Sequence, residues 1–66
     1  MNDFVTFEII EYKDNTYRVE TKHMAYHFRD ELIQECKAKD LYQVMQKIAD
    51  IMNNKYKKGV VFTIKM

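Results

Sequence analysis

Residues 41–56 carry a helical pattern of apolar and polar positions. Apolar side chains fill one continuous half of a helical wheel, and polar side chains fill the other half. The apolar half consists of Leu41, Val44, Met45, Ile48, Ala49, Ile51, Met52 and Tyr56. Asp40 and Gln43 have the spacing of a capping box, and Gly59 falls where a left-handed residue commonly ends a helix. The pattern predicts one amphipathic helix between Asp40 and Gly59.

Two segments rich in β-branched and aromatic residues flank the turn residues Asp14 and Asn15, and they predict a hairpin. A two-residue turn places Ile10 opposite Val19, whereas a three-residue turn would place Ile9 opposite Val19. We favour the first register because it also pairs aromatic with aromatic and acidic with basic side chains across the strands.

Residues 23–39 fit either a helix or a strand, and we favour a strand at about 31–38 that leads into the helix. Residues 60–66 alternate as a final strand, whose apolar face should meet the helix. That face carries Val60, Phe62, Ile64 and Met66. The predicted fold class is α+β, in the order β-β-β-α-β, with a small antiparallel sheet packed on one amphipathic helix. The alternative order is β-β-α-α-β, and either way residues 1–66 form a single small domain.

The composition narrows the class of protein. With 47% hydrophobic and 32% charged residues, the 66-residue chain is typical of a globular domain. Its lone cysteine, Cys36, fits a reducing compartment, so we expect a cytoplasmic protein. No apolar run approaches the roughly 20 residues of a membrane span, so we expect no membrane association. The net charge of +1 gives no overall attraction to nucleic acid.

Candidate chemistry is sparse. The chain has no serine, and a single glycine cannot build a phosphate-binding loop. His23 and His27 have a spacing that suits a metal pair, with Cys36 further along, but a closed zinc site needs four ligands. Cys36 is more typical of a small apolar filler than of a nucleophile. We therefore expect no enzymatic activity, no catalytic residue, no metal or cofactor, and no small-molecule substrate.

One basic cluster stands out, formed by Lys55, Lys57 and Lys58 around Tyr56. Lysines of this kind can contact phosphates while an aromatic ring stacks on a base. Lysines at the end of a helix also complement its dipole, which needs no ligand. Nucleic-acid binding by a small regulator is therefore the alternative function.

The first strand is apolar on both faces, although one helix can cover only one face of a sheet. In the favoured register Val5, Phe7 and Ile9, together with Met24 and Val61, remain open and form a partner or dimer interface. The alternative is that residues 23–30 fold over this face. We expect a homodimer that binds a protein partner. The small size and a composition typical of low-GC genomes favour a phage or mobile-element protein that inhibits or regulates a host protein.

Overall fold

Four strands and one helix build the fold in the computed structural model, which describes residues 3–65. The elements are β1 (Phe4–Lys13), β2 (Thr16–Glu20), β3 (Gln34–Lys37), α1 (Leu41–Lys55) and β4 (Gly59–Lys65). The sheet order is β3-β2-β1-β4. The predicted α+β class and the order β-β-β-α-β are confirmed. Because β4 runs parallel to β1 while the other pairs are antiparallel, the sheet is mixed rather than wholly antiparallel.

The ambiguous segment before the helix contains a strand, as favoured, but a shorter one than 31–38. Two 3-10 turns, Asp30–Leu32 and Ala38–Asp40, flank the four residues of β3. Leu32 is fully buried and fixes the first turn to the core. The alternative with a second α-helix in this segment is therefore wrong.

The hairpin adopts the register that we did not favour. Ile9 lies opposite Val19, and Lys13 lies opposite Thr16 across the two-residue turn. A two-residue turn is compatible with the pairing of Ile9 and Val19 because β1 has a bulge between Glu11 and Lys13. The bulge inserts one extra residue, Tyr12, before the turn. The bulge moves Val19 onto the same face of the sheet as Ile9, since a shift of one residue exchanges the two faces of a strand.

The helix covers the face of β1 that the sequence analysis left open. Val5, Phe7 and Ile9 are 3%, 0% and 3% exposed, and they lie in one core with the fully buried Ile48 and Met52 of α1. The prediction that these three strand residues form an exposed interface is wrong. The helix covers this face because the opposite face of β1 is less apolar, with Thr6 and Glu8 between its apolar residues. Packing that face under the helix would bury an unpaired carboxylate.

Other expected core positions are confirmed in part. On β4, Val60 and Phe62 pack against the core, and the Phe62 ring lies 6.1 Å from that of Phe7. Ile64 shares their face by alternation but is 68% exposed. Met66, assigned to the same face from sequence, lies outside the described residues.

The segment between β2 and β3 closes the side of the core rather than the opposite face of the sheet. Tyr26 is buried, and its ring meets that of Tyr56 edge-on at 4.9 Å, just beyond α1. Thr21 anchors the start of the segment, because its hydroxyl donates to the Thr6 carbonyl at 2.7 Å and accepts from the His23 backbone N–H. The alternative in which residues 23–30 fold over the face of Val5, Phe7 and Ile9 is confirmed in part, because Tyr26 shares their core whereas Phe28 is 80% exposed.

Both ends of the helix differ from the predicted caps. Asp40 precedes α1 but makes no side-chain capping hydrogen bond, because a 3-10 turn already leads into the helix. At the other end Lys57, with φ of 59°, takes the left-handed conformation expected of Gly59. Gly59 is instead the first residue of β4, where a Cβ atom would lie 2.5 Å from Cε1 of the Phe4 ring. The glycine makes room for that ring.

Replacing Ile48 by Asp should unfold the domain. The change places an unpaired carboxylate at a fully buried position, and a domain of this size has only about 3–10 kcal/mol of stability to lose. The matched control is Gln46→Asp, which adds the same group at an exposed position of α1. Circular dichroism should show a folded control. An equal loss of structure in both variants would contradict the described phase of the helix.

Lys57→Gly should stabilise the fold by up to about 1 kcal/mol, because glycine adopts a positive φ without the steric cost that a lysine incurs. Lys57→Ala removes the same side chain but keeps the backbone cost, so it should give no gain. Urea denaturation of both variants measures the difference. A gain in the alanine variant alone would assign the effect to charge rather than to the backbone.

Candidate protein-binding face

The side of the sheet opposite α1 is not covered by another element among residues 3–65. We call it the open face, and alternation along the paired strands assigns its members. They are Phe4, Thr6, Glu8, Ile10 and Tyr12 of β1, Arg18 and Glu20 of β2, Glu35 of β3, and Val61, Thr63 and Lys65 of β4. The sequence analysis correctly expected one bare face of the sheet, but it assigned the wrong residues of β1 to it.

Apolar and aromatic side chains run along the open face. Phe4, Tyr12 and Val61 are 61%, 47% and 43% exposed, and Ile10 is half-buried. Phe4 and Tyr12 stand near opposite ends of β1, about 27 Å apart at 3.4 Å per residue. Two aromatic rings therefore frame a mixed surface with Ile10 and Val61 between them.

The bulge in β1 sets the position of Tyr12. It turns the side chain toward Glu35 on the far side of β2, and interaction with that carboxylate raises the pKa of the Tyr12 hydroxyl. The interaction links the end of β1 to β3 across β2 on the open face.

The carboxylate of Glu8 lies near the centre of the open face. Glu8 is half-buried, and its Oε1 is shielded from solvent with no hydrogen-bond partner among the described residues. The residue directly opposite, Glu20, is also acidic, but it is paired with Arg18 at 3.0 Å. A carboxylate oxygen that has lost water without gaining a hydrogen bond is unfavourable, and a donor from a binding partner would relieve that cost.

Two further apolar side chains protrude from the segment between β2 and β3. Phe28 is 80% exposed and lines a surface cavity together with Arg18 and Glu20 of the open face. Met24 is 78% exposed. Of the five residues predicted from sequence to remain open, Met24 and Val61 have side chains accessible to a partner.

The lysine cluster is partly occupied by contacts within the chain. Lys55 donates to Glu31 at 3.0 Å, and Lys58 lies 3.6 Å from Asp3. Lys57 is exposed, at the left-handed position that follows the helix. A phosphate would have to compete with Glu31 and Asp3 for two of these three lysines.

Glu31 ties the segment before β3 to the end of the helix. Its Oε1 accepts hydrogen bonds from Lys55 Nζ at 3.0 Å and from the Tyr56 hydroxyl at 3.1 Å. The Lys55 hydrogen bond, followed by that of Tyr56, lowers the pKa of the Glu31 carboxyl below 4.5. The same pairing raises the pKa of Lys55 above 10.5. These contacts indicate a structural role for the first lysine of the cluster.

The residues proposed for metal or thiol chemistry are not gathered into a site. His27 Nδ1 lies 2.9 Å from the Thr21 carbonyl, and the His23 ring lies 5.0 Å from that of Tyr26. Cys36 is half-buried, and burial followed by the nearby Asp40 raises the pKa of its thiol, which disfavours the reactive thiolate. Within residues 3–65, no group of three or more His, Cys, Asp or Glu side chains is placed to share a metal ion.

Two further results bear on function. Over residues 3–65, no helix has both the length and the apolar content required to cross a lipid bilayer. Comparison of the chain with protein-family models, with curated proteins and with solved structures found no match in any of the three.

Glu31→Gln should lower stability at neutral pH by a small amount, because the pair is exposed. The lowered pKa of Glu31 makes its contribution fully present above about pH 4.5, and the contribution is lost as the pH falls through the folded value. Melting temperatures measured from pH 7 down to about pH 2 should therefore converge for wild type and variant. Glu11→Gln, at an exposed position with no ion pair among the described residues, is the control. A constant gap at every pH would contradict the ion-pair assignment.

Proposed function

We propose that this protein is a non-enzymatic binding protein that acts by holding another protein against the open face. The observation that carries the proposal is the open face itself, where exposed apolar and aromatic side chains accompany a shielded carboxylate oxygen of Glu8 that has no hydrogen-bond partner within residues 3–65. Exposed aromatic and aliphatic side chains set among polar ones are typical of the surfaces with which proteins bind one another.

The chemistry of the face defines its partner. Phe4, Tyr12 and Val61 offer area that gains from leaving water, and aromatic residues of this kind commonly anchor protein interfaces. Glu8 near the centre favours a lysine or arginine on the other side. The matching surface is an apolar patch with one basic side chain among its apolar groups.

The alternative of nucleic-acid binding has weaker support. Glu8, Glu20 and Glu35 accompany the basic side chains on the open face, and carboxylates repel a phosphate backbone. The lysine cluster beyond the helix is engaged through Lys55 and Lys58. Binding by these lysines, as predicted from sequence, therefore ranks second.

The cellular role forms part of the same proposal. A small chain that binds a protein and carries no gathered catalytic groups suits an inhibitor or regulator, and a phage or mobile element is the proposed source. The single free thiol, Cys36, supports a cytoplasmic location. The partner is then a cytoplasmic host protein.

Site-specific photocrosslinking tests which surface the partner contacts. A photoreactive phenylalanine analogue replaces Thr6, which is exposed on the open face, or Gln46, which is exposed on the outer side of α1. In a lysate of the source cells, the Thr6 probe should capture a defined protein that the Gln46 probe does not capture. Capture of the same protein by the Gln46 probe alone would contradict the proposal, and so would capture of nucleic acid in place of protein.

Substitutions then test the chemistry with the captured protein in purified form. Val61→Glu should weaken binding about tenfold or more, because it replaces an apolar contact of the open face with a charge that would lose its water against the apolar part of the partner. Gln43→Glu adds the same charge to the outer face of α1 and should have no effect. Glu8→Gln should weaken binding and reduce its salt dependence, whereas the matched change Glu11→Gln should not. Equal effects of the paired variants would contradict the assigned face.

A further inference from the structure

The outer edge of β4 is an edge of the sheet. Within residues 3–65, β4 pairs with β1 on one side and with no strand on the other. Its sequence, GVVFTIK, contains no proline and has a single charge, at its last residue. A regular, apolar and uncovered edge of this kind is a ready template for another strand.

The backbone of β4 directs a set of hydrogen-bonding groups outward. Gly59 N–H donates to the Asp3 carbonyl at 2.9 Å, so this residue faces β1. Successive residues of a strand direct their backbone groups to opposite edges, so Val61 and Thr63 also face β1. The N–H and C=O groups of Val60, Phe62 and Ile64 consequently point away from the sheet, where they can pair with a further strand.

The opposite edge of the sheet is protected by contrast. β3 has only four residues and lies between two 3-10 turns. Two of its residues, Glu35 and Lys37, carry exposed charges. Short length and charge are the features with which proteins block edge pairing. The β3 edge is therefore protected against pairing with another strand, whereas the β4 edge of the same sheet is not.

We propose that a second copy of this chain occupies the β4 edge, with the two β4 strands antiparallel about a twofold axis at Phe62. This register places Phe62 opposite its counterpart and Val60 opposite Ile64 of the other copy. The outward groups of these three residues then form about six hydrogen bonds, because residues opposite each other in this way exchange both N–H and C=O. Two four-stranded sheets become one continuous sheet of eight strands.

The side chains of β4 complement themselves in this register. On the helix side, the exposed Ile64 packs beside the half-buried Val60 of the other copy. On the open face, Val61 meets Thr63. Lys65 falls opposite Gly59, which has no side chain, so no like charges face each other across the join. This self-complementarity favours a second copy over an unrelated strand.

A single edge of seven residues buries less area than a standard protein interface, so the dimer should be weak, with a dissociation constant in about the micromolar range or above. The inference does not rest on the proposed function, because it concerns an edge of the sheet rather than the open face. In the dimer the two open faces lie side by side, which leaves both accessible to a protein partner.

Solution mass measured across a dilution series tests the pairing. Wild type should change from dimer to monomer as it is diluted from about 1 mM to 1 µM. Ile64→Lys should raise the dissociation constant about tenfold or more, because it places a charge among the apolar groups of the join. Phe28→Lys is the matched control, an exposed apolar residue beside the opposite edge, and it should dimerise as wild type does. A wild type that is monomeric throughout, or a dimer that Phe28→Lys disrupts and Ile64→Lys does not, would overturn the proposal.

Disulfide trapping tests the register even if Ile64→Lys does not fold. In a Cys36→Ala background, Val61→Cys and Thr63→Cys chains are mixed and oxidised. Their Cα atoms should lie about 4.5 Å apart across the join, within the range of a disulfide. The mixture should yield a linked dimer that contains one chain of each kind, whereas each variant alone should yield much less. Equal yields from the mixture and the single variants would overturn the proposed register.

Discussion

Strand β1 has apolar residues on both faces, and α1 packs against only one of them. Which face it covers determines both the core and the exposed side of the sheet. Covering Val5, Phe7 and Ile9 gives α1 a continuous apolar floor for Ile48 and Met52. Covering the other side would have placed Glu8 in the core at a cost of several kcal/mol. The selected packing places that carboxylate on the open face, together with Phe4 and Tyr12, so the stability of the core and the character of the candidate binding surface have one cause.

Much of this architecture can be predicted from local sequence patterns. The apolar half of α1, the alternation of β4 and the turn at Asp14 and Asn15 depend on residues close together in sequence, and the structure confirms each of them. The helix caps were harder to predict, because Asp40 and Gly59 have more than one suitable conformation. Gly59 leaves space for the Phe4 ring, and this contact between distant parts of the chain cannot be found in a local sequence pattern.

The candidate site shows where local reasoning fails. One helix can cover only one face of a sheet, and the first strand is apolar on both faces. The existence of a bare sheet face follows from this, and it was predicted correctly. Its residues depend on hairpin register, which the bulge at Tyr12 shifts by one position. Cross-strand matching favoured the wrong register because it weighed pairs of neighbours and not the burial of each face. The presence of Glu8 between Thr6 and Ile10 was the available signal, since a buried carboxylate costs more than a mismatched pair gains.

The parallel pairing of β1 with β4 has a consequence for how the chain acquires its structure. These two strands are neighbours in the sheet although Phe4 and its partner Gly59 stand far apart in the sequence. During synthesis on the ribosome, the hairpin and even the helix can form while the place beside β1 is still empty. The backbone edge of β1 then stays unpaired until β4 has been synthesised, and contacts of such long sequence separation slow folding. That edge is therefore most exposed to misassociation and to chaperones in the interval before β4 has left the exit tunnel.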